Sequence, residues 1–191
     1  MEHDAPIFVV LLGPPGAGKG TQAAHLCERL GISHLSTGEV FRHVICERTS
    51  VGLQVQSLVE SGQLVPDDLV VKVVEEFLDA AGANGACFDG FPRTLEQAQG
   101  LDRVLASRSE SLSAVVVLQL DDEKAVQRMA ARGRTDDNKS TTQYRLKIHQ
   151  ETAGVLIEYY GDRDLLKYVD GDADIATVGH RVGLLFPEER R

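Results

Sequence analysis

Residues 13–22 read GPPGAGKGTQ, with three glycines ahead of a single lysine and a fourth between that lysine and a threonine. Glycine takes positive φ without steric cost, so Gly13, Gly16 and Gly18 let the backbone curl until successive N–H groups point inward, which makes a cradle for an oxyanion. Lys19 supplies a mobile full charge, and a helix opening at about Thr21 adds the partial positive charge of its N-terminus. The apolar run IFVVLL at 7–12 precedes this loop and an amphipathic pattern over Thr21–Leu30 follows, the strand–loop–helix context of a phosphate-binding loop. The cradle is expected from Gly16, Ala17, Gly18, Lys19, Gly20 and Thr21. Gly20 stands where a hydroxyl normally reaches magnesium, and Thr21 comes one residue late, so Mg²⁺ is expected to be held through the nucleotide's phosphates and water.

A transfer between two phosphate compounds needs a second basic pocket, and of four candidate segments three carry arginines for one. In LSTGEVFR at 35–42, Ser36 and Glu39 satisfy a capping box, but Arg42 lies outside its needs. GQLVP at 62–66, followed by Asp67 and Asp68, reads as an ordinary helix start. In CFDGFPRTLEQAQ at 87–99, Asp89 ends a buried strand at the sheet edge where open α/β proteins bind ligands, and Thr94 with Gln97 forms another capping box. Arg128 and Arg132 sit four apart on one helical face, where like charges repel by about 0.2–0.5 kcal/mol and call for an anion between them. Asp136 and Asp137 could be that anion in a solvated loop; Arg134 and Arg145 complete the basic set.

On these strings the chain resembles the nucleoside monophosphate kinases, and GPPGAGKGTQ in particular is similar to the adenylate kinases, from about Phe8 to Phe186. The resemblance implies reversible transfer of the terminal phosphate of Mg-ATP to AMP, giving two ADP. It places ATP on the loop, Arg128, Arg132 and the backbone of Gly171. It places AMP against Thr37, Arg42, Gln63, Leu64, Val65, Gly90, Phe91, Arg93 and Gln97, with Gln97 bonding adenine. It implies that Arg134 and Arg145 bridge toward the acceptor phosphate, that Asp89 orients magnesium-bound waters, and that Lys19, Arg93, Arg132, Arg134 and Arg145 form the catalytic set. UMP/CMP kinases are the nearest alternative, but relatives of that type tend to carry Ala and Asn where Thr37 and Gln97 favour adenine. A non-catalytic nucleotide-sensing module is opposed by the transfer arginines, and a GTPase by Asn138-Lys139 lacking an aspartate two residues on. The loop RGRTDDN is shorter than the compact lid of many relatives and lacks the four-cysteine metal site of some long-lid forms.

These residues need a scaffold. Short apolar runs at Ile7–Leu12, Ala86–Phe88 and Ala114–Leu120, with weaker ones at His34–Ser36 and Lys167–Val169, read as strands buried on both faces. Helical patterns at Thr21–Leu30, Asp67–Ala81, Leu95–Leu105, Glu123–Ala131 and about Thr141–Tyr160 alternate with them, and in the last Leu146, His149, Ala153, Leu156 and Tyr160 form one stripe. The expectation is an α/β, P-loop NTPase-like three-layer fold, one domain over 1–191 with a central parallel sheet of about five strands. A small helical NMP-binding subdomain at about 36–65 and a short lid at about 132–138 are expected to decorate it.

The 191 residues carry a net charge of −9, which disfavours nucleic acid and anionic membranes as partners and leaves small nucleotides. Cys27, Cys46 and Cys87 are odd in number with no CxxC, and the N-terminal apolar run is too brief for a signal peptide, so a cytoplasmic protein is expected, and the resemblance implies a monomer. The six histidines show no metal-ligand spacing.

Overall fold

The computed structural model describes residues 5–82, 84–133 and 138–186. Five strands form one parallel sheet: β1 (Ile7–Leu12), β2 (Ser33–Ser36), β3 (Gly85–Asp89), β4 (Ala114–Gln119) and β5 (Leu166–Asp170), in the order β2-β3-β1-β4-β5. Successive side chains on a strand point to opposite faces, and here both faces are dry. Phe8, Val10, Ala86, Phe88, Val115 and Val117 feed one apolar cluster, while Ile7, Val9, Leu11, Cys87, Val116 and Leu118 feed another. That is why these strands read as continuous apolar runs rather than alternating ones.

Helices cover both faces. On one side α1 (Lys19–Leu30) packs through Ala23, Leu26 and Cys27, joined by Val178 and Val182 of α8 (Ile175–Gly183). On the other lie α4 (Asp67–Ala80), α5 (Leu95–Ser107) and α7 (Lys139–Gly161), contributing Val70, Val74, Leu101, Leu105, Leu156 and Tyr160. Between β2 and α4 the chain forms α2 (Thr37–Cys46) and α3 (Ser50–Ser61), whose Phe41 and Val55 extend the same cluster. Thr49 starts α3 by accepting a hydrogen bond from the Gly52 N–H at 3.0 Å. A short α6 (Asp122–Arg132) opens on Asp121, whose carboxylate takes the Glu123 N–H at 2.8 Å.

The helix α8 is absent from the sequence expectation. Two glycines, Gly179 and Gly183, weaken its pattern, yet the start signal is present: Asp174 accepts from the Thr177 N–H at 2.9 Å. The two sequence capping boxes divide. Thr94 caps α5 through the Gln97 N–H at 3.2 Å, but no side chain caps α2, and Ser36 donates its hydroxyl to Asp89 Oδ2 at 3.2 Å. A tertiary acceptor on the neighbouring strand has displaced the local capping role read from Ser36 and Glu39.

The strand order fixes where a ligand can lie. From β1 the chain turns toward β2 and from β3 toward β4, so connections leave two adjacent strands in opposite directions and open a crevice at their carboxyl ends. The loop Gly13–Gly18 follows β1, and Asp89 ends β3 with Leu11 as its register partner. Among the described residues no helix is long and apolar enough to cross a membrane.

Candidate active site

The phosphate loop is shaped by its glycines. Gly13 and Gly16 hold φ of 141° and 88°, and a Cβ on either would stand 2.5 Å from a backbone carbonyl oxygen, of Leu118 and Ala125 respectively. Larger residues would therefore clash as well as strain the backbone. Gly18, with φ 89°, begins α1 without any capping side chain, so the first N–H groups of the helix look toward the crevice. Gly20 answers a separate need: a Cβ there would come within 3.1 Å of Asp89 Oδ2, crowding the carboxylate. The fourth glycine keeps space beside Asp89.

Lys19 is half-buried and donates to the carbonyls of Gly13 and Pro14 at 2.8 and 2.9 Å. Burial pulls its pKa down to about 8, with Arg93 and Arg132 pushing the same way and Asp89 opposing. Its charge therefore persists at neutral pH and is lost as pH rises through about 8 in the absence of an anion.

A second cluster faces the loop across the crevice. Arg93, exposed on the cavity wall, donates from Nε to the Gly90 carbonyl at 2.7 Å, with Arg145 and Arg42 near enough to repel its charge and Asp89 to attract it. Thr37, almost fully buried, donates to that same carbonyl at 3.0 Å. Gln97 is held by a bond from the Arg93 N–H to its Oε1 and by donating from Nε2 to Asp67 Oδ1, both 2.7 Å. His149 lines the wall between the ends, and burial, with Lys19 beside it, drops its pKa to about 4 while Asp122 opposes, so it stands neutral at pH 7.

One cavity of about 900 Å³ joins both clusters. Its walls contain Gly16–Thr21, Arg128 and Arg132 at one end, and Thr37, Arg42, Gln63–Val65, Gly90, Arg93, Gln97 and Arg145 at the other, with Asp89 between. Two residues expected in the site lie outside its walls. Phe91 is fully buried, its ring edge-on to Phe88 in the core, and so offers the cavity no ring. Gly171 gives its carbonyl to Arg128, which also takes that of Ala173, at 3.0 and 3.1 Å. The guanidinium, which in the sequence is one of a like-charged pair, thus has two backbone acceptors while still lining the cavity. Arg134, Asp136 and Asp137 fall outside the described residues.

Sequence reasoning passed over several cavity residues. Ile175, 59% exposed yet on the cavity wall, lies in α8, which the sequence pattern does not reveal; Ser36 reads locally as a cap, and His149 as one member of an apolar stripe. Two basic clusters facing each other at the switch point of a parallel sheet, one built on a glycine loop, define a P-loop phosphotransferase.

The comparisons with known proteins narrow this. The family model for adenylate kinase matches residues 11–165. An adenylate kinase of Corynebacterium aurimucosum is 47% identical over 154 residues, covering 80% of this chain and 85% of its own. One from Synechococcus sp. (strain WH7803) is 41% identical over 174 residues, 91% of this chain and 95% of its own, and one from Corynebacterium glutamicum (strain R) is 43% identical over 167 residues, 87% and 92%. The chain belongs to the adenylate kinase family and is an enzyme with that activity.

Proposed function

We propose that the enzyme moves the terminal phosphate of Mg-ATP to AMP, reversibly, with ATP's phosphates on Gly13–Thr21 and the AMP phosphate among Arg42, Arg93 and Arg145. The observation that carries this reading is that one cavity is lined by both basic clusters, so that anions bound to each would share it.

The AMP phosphate, with a second pKa near ~6, is already a dianion at neutral pH and attacks without a general base. The remaining work is to align the two nucleotides and to cancel the charge between them. Lys19 swings from its own loop carbonyls to ATP oxygens. Arg132 joins it from the end of α6, and Arg134 completes the set by its place in the sequence. Arg128, held by Gly171 and Ala173, stiffens the segment that meets the ATP adenine, with Ile175 supplying an apolar surface. At the other end Gln97 reads the AMP base, beside Thr37 and the 63–65 backbone.

Magnesium fits this chemistry as a companion of ATP. No cluster of three His, Cys, Asp or Glu residues suited to holding an ion by itself occurs among the described residues, while Asp89 offers one carboxylate on the cavity wall that no side chain at position 20 crowds. When bound, the ion neutralises charge on the β- and γ-phosphates.

The helical arm at about 36–65 is the acceptor-binding subdomain in this reading, and the 132–138 connection the lid. A monomer in the cytoplasm with small nucleotides as its only partners goes with it. A coupled ADP assay comparing AMP, CMP and UMP tests the acceptor. AMP is expected to lead by at least ~100-fold in kcat/KM, and a preference for CMP overturns the assignment.

A further inference from the structure

We propose that Asp67 decides which base edge the acceptor pocket accepts, by fixing the orientation of the Gln97 amide. The inference rests on the reading that Gln97 meets the acceptor's base. Gln97 is 2% exposed, and its amide has two N–H donors and two carbonyl lone pairs to place. The Arg93 backbone N–H takes one lone pair, and Asp67 Oδ1 takes one N–H, each at 2.7 Å.

Both partners work in one sense only. A backbone N–H donates and an ionised carboxylate accepts, so the amide has a single stable orientation. Turning it over would set Oε1 against the carboxylate and the NH₂ group against the N–H, replacing two hydrogen bonds by two repulsions. One lone pair and one N–H remain, and Gln97 lines the cavity. A base pairs with that remaining edge when it carries an amino group beside an unprotonated ring nitrogen, as adenine does. Hypoxanthine has the same size and the inverse edge, a carbonyl beside a ring N–H, and is rejected by orientation alone.

An acid in the first turn of α4 would also stabilise that helix. Asp68 shares that position and is exposed, so the electrostatic benefit to the helix does not single out Asp67. What is particular to Asp67 is the bond to an amide thirty residues on.

The test compares AMP with inosine monophosphate as acceptors. In the unaltered enzyme AMP is strongly preferred. Asp67→Asn presents a partner able to serve either amide orientation, and is expected to narrow the AMP-to-IMP ratio of kcat/KM by about 10-fold, less than complete relaxation because the Arg93 N–H persists. The change should fall on KM, with kcat for AMP within about 3-fold. Asp68→Asn should leave the ratio unchanged, and Asp67→Ser, which keeps a helix-starting residue with a two-way hydroxyl, should reproduce the narrowing if Asp67→Asn folds poorly. An unchanged ratio in the folded Asp67 variant, or an equal loss with both acceptors, overturns the proposal. Gln97→Leu separates the two readings: if it too leaves the ratio unchanged, the base does not meet Gln97 and the underlying placement fails. If only Gln97→Leu moves the ratio, the placement stands and the role of Asp67 falls.

Discussion

The two ends of the cavity bind the same chemical group by different means. The loop end is made largely of backbone, with glycines at positive φ, uncapped helical N–H groups and one lysine whose partial burial brings its pKa to about 8. The acceptor end is made of side chains from separate elements: Arg42 on α2, Arg93 ahead of α5 and Arg145 on α7. Backbone donors are fixed in sequence and in space together, whereas guanidinium groups converge only after the helices have packed. Lysine and arginine also differ in kind. A buried lysine shifts its pKa readily, while arginine keeps its charge at any physiological pH. One end is therefore tunable by pH and the other is not.

Substitutions can break or sharpen this contrast. Lys19→Met should have the largest effect, lowering kcat about 1000-fold in the coupled assay, since it removes the only side-chain cation within the loop. A loss smaller than that of any single acceptor arginine would break the comparison. Arg93→Ala and Arg132→Ala should each lower turnover by at least ~100-fold, about 2.7 kcal/mol, with circular dichroism unchanged. The pH dependence follows from Lys19. Its pKa near 8 in the free protein is raised by bound phosphate, so ATP affinity is full below pH 8 and falls as pH rises, by about 10-fold at pH 9. Calorimetry at pH 8 in buffers of different ionisation enthalpy should record uptake of about half a proton with ATP. AMP affinity should stay flat over the same range. The smallest effect is expected for Gly20→Ala: a methyl 3.1 Å from Asp89 Oδ2 should cost about 5-fold in kcat, while the helix gains roughly 0.5–1 kcal/mol in stability.

The same contrast explains what could be read from the sequence. Residues 13–21 are contiguous, and glycine spacing states its own geometry, so the loop, the strand before it and the helix after it were legible from first principles. So was the sheet, because Ala114–Gln119 and Ile7–Leu12 are apolar at every position but the last of β4. The acceptor end was legible only through resemblance: nothing local to Arg42 or Arg145 says that they meet. Local rules misled where a distant partner competed. Ser36 satisfies a capping box on paper, but Asp89 on the adjacent strand takes its hydroxyl. Gln97 shows the opposite outcome, since its backbone joins the cap at Thr94 while its side chain answers to Asp67. Arg128 was read as needing an anion because its backbone acceptors lie more than forty residues away, after β5. No window centred on α6 contains them.

The pairing of Leu11 with Asp89 carries one more consequence. Neighbouring strands in any sheet stand about 4.8 Å apart, a separation set by amide chemistry alone. Because the glycine loop hangs from one such strand and the carboxylate ends the next, the sheet itself serves as a ruler between them. The helical arms can vary in length or sequence among relatives without recalibrating it.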